Sequence, residues 1–206
     1  NAAEILHIAN AEQPLAYCKH DGSLDEGFEI VTHPMTLDFH LHGMPWERIV
    51  EEAKKLGYSS HQAGTCGLHV HVNRTAFGET EAQQDAVIAR ILYFFEKNWE
   101  ELLKFSRRTQ HQLDQWAARY GYKDQPKEIL DHAKSGRHAG RYTAVNLTNA
   151  DTVEFRMFRG TLKCNTLIAT LELLDCIIDA AIYLTDDDLK AMSWSSFVIG
   201  CTQPEL

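Results

Sequence analysis

The sequence predicts an α+β protein, with a curved antiparallel or mixed sheet and helices covering one face. Three observations carry this. In "GLHVHVN", Leu68, Val70 and Val72 alternate with His69, His71 and Asn73, the two-residue period of a strand with unlike faces. "RYTAVNL" and "TVEFRMFR" are joined only by "TNAD", a joint short enough for an antiparallel hairpin. Long stretches of 3.6-residue apolar period lie between and after these strands, so strands and helices segregate.

Taken in order, residues from Ala2 to Ala11 predict a short helix. "KHDGSLDEGFEIVTHP" predicts a turn at Asp21-Gly22, a break at Gly27 and a strand ended by Pro34, with Phe28 and Ile30 on one face and Glu29 on the other. "FHLHG" reads as a solvated loop after that proline. "MPWERIVEEAKKLG" predicts a helix with Trp46, Ile49, Val50, Ala53 and Leu56 on one stripe and Gly57 as its stop. The longest helical pattern follows the histidine strand, with Val87, Ile88, Ile91, Phe95, Trp99, Leu102 and Leu103 as its apolar positions. A polar helical hairpin from Thr109 to Gly121, a short helix near Lys127 to Ser135, the two-strand hairpin and a helix from an Asn165 cap to Thr185 complete the chain. No repeat, low-complexity tract or linker divides it, so one domain over 1–206 is expected.

The composition is globular, 44% hydrophobic and 24% charged over 206 residues. Twenty basic against twenty-nine acidic residues give a net charge of −9, which argues against a nucleic-acid surface but not against a small anion held locally. The most apolar stretch, "TLIATLELLDCIIDAAIYL", is interrupted by Glu172, Asp175 and Asp179, so no membrane span is expected. Five scattered cysteines without C-x-x-C spacing, and no signal-peptide pattern, suggest a reducing cytosol and a cytoplasmic protein. "NAAEILHIAN" reads like the middle of something longer.

Three strands carry ionisable groups off their aliphatic faces: Glu29, then His69, His71 and Asn73, then Glu154 and Arg156. One inward charge is commonly a paired structural residue, whereas three such strands suggest a sheet whose concave side is a site. Carboxylates with a histidine suit Mg²⁺ or Mn²⁺. The H-x-H alone leaves zinc open. Arg156 tilts the choice, because a guanidinium beside a ligand carboxylate suits a transferring phosphoryl group. Arg141 and Asn146 flank the hairpin and could face the same site. Arg159 and Lys163 either help with phosphates or sit at the sheet rim. Cys66 reads as a small residue in a turn rather than a nucleophile, since no base is assignable beside it. The second H-x-H, His40 and His42, lacks a carboxylate partner, and Asp21 and Ser23 read as turn residues.

"KHDGSLDEGFEIVTHP", "CGLHVHVN" and "YTAVNLTNADTVEFRMFRGTL", in this order, resemble the amidoligase family, carboxylate–amine ligases sharing the glutamine synthetase and glutamate–cysteine ligase catalytic fold. The resemblance spans about Tyr17 to Leu171. It implies a glutamine synthetase-like catalytic domain and an ATP-dependent ligase with Mg²⁺ or Mn²⁺ that joins a small-molecule or peptide carboxylate to an amine through an acyl phosphate. It further implies metal ligation by Glu29, His69 and Glu154, phosphate contact by Arg156, and nucleotide or substrate contact by His71. Asn73, Arg141, Asn146 and Arg159 join as nucleotide- or substrate-side candidates, and Asp21 and Ser23 gain a minor claim on substrate. The family's usual first strand, G-x-E-x-E, is not found before Tyr17, where Glu4 is in helical context and Glu12 in a loop. The chain is thus expected to be a fragment or a variant without that strand, which bears on its activity. The alternatives are a zinc hydrolase using the H-x-H strand, which has too few β/α units here for a barrel, and a non-catalytic domain that kept the fold.

Overall fold

The computed structural model describes residues 2–20, 27–135 and 140–201. The predicted Asp21-Gly22 turn and Ser23 lie outside the described residues. The described residues divide into two compact units, one within residues 2–67 and 160–172, the other within residues 68–159 and 173–201.

The first unit is built from α1 (Ala2–Ala9), β1 (Ala16–Lys19), β2 (Glu29–Thr32), α2 (Leu37–His42) and α3 (Trp46–Lys55). Asn10 ties the end of α1 to β1: its Oδ1 accepts from the amides of Leu15 and Ala16, and its Nδ2 donates to the Ala16 carbonyl. β1 and β2 pair antiparallel, from Ala16 opposite Thr32 to Lys19 opposite Glu29. The core is Ile5, Ala9, Ala16, Met44, Ile49 and Ala53, so the predicted α3 stripe faces inward, Trp46 and Leu56 only partly. The "FHLHG" loop is corrected to a helix, α2. Pro34 precedes it and breaks nothing inside it, while the Thr36 hydroxyl accepts from the Phe39 amide as an N-cap. His40 of α2 stacks on Trp46 at 5.9 Å, with its pKa lowered by burial.

The second unit holds β3 (Gly67–Asn73), α4 (Glu81–Lys97), α5 (Trp99–Ser106), α6 (Gln110–Trp116), α7 (Pro126–Lys134), β4 (Val145–Asn146) and β5 (Thr152–Arg159). It also holds the later part of α8 (Cys164–Tyr183), then α9 (Asp186–Ala191) and α10 (Trp194–Gly200). β5 is the middle strand of the order β3-β5-β4. Val145 lies opposite Phe155 and Asn146 opposite Glu154 in the antiparallel β4–β5 pair. The pleat puts Val153, Phe155 and Met157 into the core with no exposure, and Leu68, Val70 and Val72 pack partly buried against the same core. Ile88, Ile91 and Phe95 of α4, Leu102 of α5, Leu113 of α6 and Ile129 of α7 supply the helical side.

Four expectations change here. The single sheet across three polar-faced strands does not form among the described residues: β2 pairs with its local neighbour β1, a four-residue strand too short to show a period. The long helical pattern breaks at Asn98, whose side-chain amide donates to the Phe94 carbonyl and ends α4. The polar helical hairpin is one helix, α6, opened by a Thr109–Gln112 capping box; the chain then extends, and Ala118 bridges to Thr143. Thr185, read as the end of the last helix, is instead the N-cap of α9. Lys97 anchors that segment by donating to the carbonyls of Leu189, Lys190 and Met192.

Candidate functional site

Glu154 organises the polar face of the three-stranded sheet. It is buried, 6% exposed, and its polar partners come from the neighbouring strands and from its own. Asn146 of β4, directly across the ladder, donates its Nδ2 to Oε2 at 2.7 Å. Arg156, two residues along β5 and hence on the same face, donates Nη1 to Oε1 at 2.6 Å. From β3, His69 Nδ1 lies 3.4 Å and His71 Nε2 3.7 Å from Oε1. His71 Nδ1 meets the Thr152 hydroxyl at 3.1 Å. The contacts His71–Thr152 and His69–Glu154 run in opposite directions along β3 and β5, as an antiparallel pair requires.

The charges follow from this packing. Burial pushes Glu154 upward, but the Asn146 hydrogen bond and the Arg156 charge outweigh it and hold the carboxyl below its usual range. His69 goes the other way. Burial, then the Arg156 guanidinium, lower its pKa to about 4, against the smaller opposing pull of Glu154. The His69–Glu154 contact therefore joins a neutral imidazole to a carboxylate at neutral pH, and is not an ion pair.

Arg156 is the least satisfied member. Its Nη1 is committed to Glu154, yet its Nε is buried without an acceptor. A buried guanidinium nitrogen without a partner is costly, and an incoming anion would relieve it. A second guanidinium points to the same need: burial and the neighbouring Arg156 charge both lower the pKa of Arg108. Arg108 follows Arg107, which leaves α5 in the left-handed conformation at φ 59°, rare outside glycine. The exposed Tyr142 ring carries Arg141 at 4.9 Å and Arg156 at 5.7 Å, and meets Trp116 edge-on at 5.6 Å. Two arginines beside a half-exposed aromatic pair, with Arg108 near one of them, form a surface suited to a phosphorylated ligand with a flat ring.

The residues named from sequence thus divide. His69, His71, Asn146, Glu154 and Arg156 come together. Arg141 reaches the cluster through Tyr142, to whose hydroxyl it also donates at 2.8 Å. Asn73 turns its side-chain oxygen to the Thr75 amide, capping a 3-10 turn. Arg159 falls by the pleat on the face opposite Glu154 and Arg156. Glu29 and Lys163 belong to the first unit, Glu29 across the β1–β2 ladder from Lys19. Cys66 directly precedes β3, where a Cβ on Gly160 would come within 2.9 Å of its own Cβ. That contact explains the glycine of "FRGTL". Arg108, Trp116 and Tyr142 were missed; only the Arg107-Arg108 doublet after a helix hinted at them.

Within this unit Glu154 and neutral His69, 3.4 Å apart, are donors for a divalent cation. Two of the carboxylate's lone pairs are occupied by Asn146 and Arg156, and no group of three or more His, Cys, Asp or Glu gathers as a metal set among the described residues. So sparse a centre fits a metal that brings its own oxygen ligands, as Mg²⁺ does on phosphates. It does not fit zinc, which asks for three protein ligands.

The class is thus an α+β protein with an arginine–carboxylate–histidine site on an open sheet. The family model described as "putative amidoligase enzyme" matches residues 9–178, and the chain belongs to that family. No curated protein and no solved structure matches it. No helix among the described residues is long and apolar enough to cross a membrane.

Proposed function

We propose that the polar face of β5 is the phosphate-handling centre of an ATP-dependent carboxylate–amine ligase. The observation that carries this is the buried, unpartnered Nε of Arg156 beside an ionised Glu154. In the reaction, a carboxylate oxygen attacks the γ-phosphorus and ADP leaves. An amine then attacks the acyl phosphate, and inorganic phosphate leaves with formation of the amide. Arg156 and Arg108 offset the negative charge that builds on the transferred oxygens. Glu154 keeps Arg156 aimed, and Asn146 keeps Glu154 aimed. Mg²⁺ or Mn²⁺, held by Glu154 and His69 together with nucleotide phosphates, would supply further charge neutralisation. The acid is a small-molecule or peptide carboxylate, and the ring pair Tyr142–Trp116 is a platform for the nucleotide base.

Calorimetric titration with ATP, with Mg²⁺ and then with EDTA, tests this. Binding should require the cation and fall about tenfold or more in Glu154→Gln and His69→Ala, compared per folded molecule. Cation-independent binding, or binding unchanged in both variants, would overturn the assignment. The sparse donor set sets this reading above a zinc hydrolase.

A further inference from the structure

A polar cleft in the same unit is lined by none of the side chains gathered around Glu154. It measures about 410 Å³, within the range of small-molecule sites. Its walls are Arg74 just after β3, Glu81 and Asp85 in the first turns of α4, Lys134 at the end of α7, and Thr148 and Asn149 in the β4–β5 connection.

The four charges in these walls cancel, but not in place. Lys134 Nζ donates to Asp85 at 2.6 Å, so that pair is closed. Arg74 spends Nε on the Asn149 carbonyl and Nη2 on the Leu147 carbonyl. Among the described residues its Nη1 has no acceptor and its charge no carboxylate within ion-pair distance. Among the described residues Glu81, in the first turn of α4, likewise has no cation within ion-pair distance. Asn149 adds a buried Nδ2 with no acceptor. The cleft therefore presents two donors, one of them cationic, and separately one acidic acceptor.

We propose that this cleft binds a small zwitterion, an α-amino acid. Its carboxylate would meet Arg74 and the Asn149 side-chain amide, and its ammonium Glu81. A zwitterion engages all three groups at once, whereas a simple anion engages only the two donors and a simple amine only Glu81. The Thr148 amide donates to Asn146 Oδ1 at 2.9 Å, while Asn146 holds Glu154 through its other atom. An occupied cleft would therefore stiffen the residue that positions the site carboxylate.

The test is amide-resolved NMR titration with L-alanine, propionate and ethylamine, each without nucleotide or divalent cation. Failure here then leaves the ligase assignment standing, and failure of ATP binding leaves this one standing. L-Alanine should bind with a millimolar-range constant, shifting the Asn149 side-chain amide and the Thr148 backbone amide. Propionate and ethylamine, its two halves, should each bind about tenfold more weakly. Glu81→Gln, at an exposed position, should reduce L-alanine affinity about tenfold and leave propionate unchanged. Equal binding of propionate and L-alanine would overturn the zwitterion in favour of a plain anion site. Absence of any shift at Thr148 and Asn149 would overturn the site.

Discussion

Glu29 and Glu154 look alike in the sequence, each a carboxylate on a strand face opposite aliphatic residues. Glu29 is half-buried on a two-stranded ladder opposite Lys19, an arrangement common on any hairpin. Glu154 is 6% exposed and faces Asn146, Arg156, His69 and His71. The contrast teaches that alternation finds a polar face, whereas burial and crowding of partners distinguish one polar face from another.

The largest expected effect breaks the comparison outright. Glu154→Ala leaves the Arg156 charge buried and unanswered and should cost about 3 kcal/mol in chemical denaturation. Glu29→Ala removes a cross-strand pair and should cost about 0.5 kcal/mol. Similar losses from both would remove the distinction. Asn146→Ala comes next. It strips hydrogen bonds from Glu154 and from the Thr148 amide and should cost about 2 kcal/mol. It should also raise the Glu154 pKa, readable by carbon-detected NMR, because a bond to the charged form is lost.

A pH-dependent effect sharpens the comparison. In metal-free protein the His69 ring should stay neutral as the pH falls to about 4. The unfolded chain binds that proton nearer pH 6.5, so the unfolded state holds more protons between those values. Stability tied to His69 is therefore complete above about pH 6.5 and is lost as the pH falls toward about 4. Arg156→Gln should move the His69 titration upward, since the guanidinium is among the causes of the lowering. An unmoved His69 would mean that burial alone sets it.

Much of the site was legible because it lies on regular strands. The pleat alone put His69, His71, Glu154 and Arg156 on polar faces, and the four-residue joint brought Asn146 across from Glu154. Arg108, Trp116 and Tyr142 come from a helix end, a helix terminus and an extended segment, where no period marks which way a side chain faces. The same physics explains the misread elements. α3 and α4 announce themselves by their apolar stripes, while β1 has four residues and α2 six, too few to establish a period. Two histidines in α2 drew attention to chemistry where a threonine cap was the better clue.

The hydrogen bond from His71 to Thr152 spans 81 residues of sequence. Between its ends lie α4, α5, α6 and α7, whose contacts are largely within that segment, α4 against α7 among them. Closing so long a loop is entropically slow compared with forming helices. During refolding, helical signal should therefore return first and protection of the β3 and β5 amides later. The order of events matters as much as the final arrangement: a chain caught midway would carry its helices and yet be functionally silent, and the interval between the two signals would time the docking of β3 onto β5.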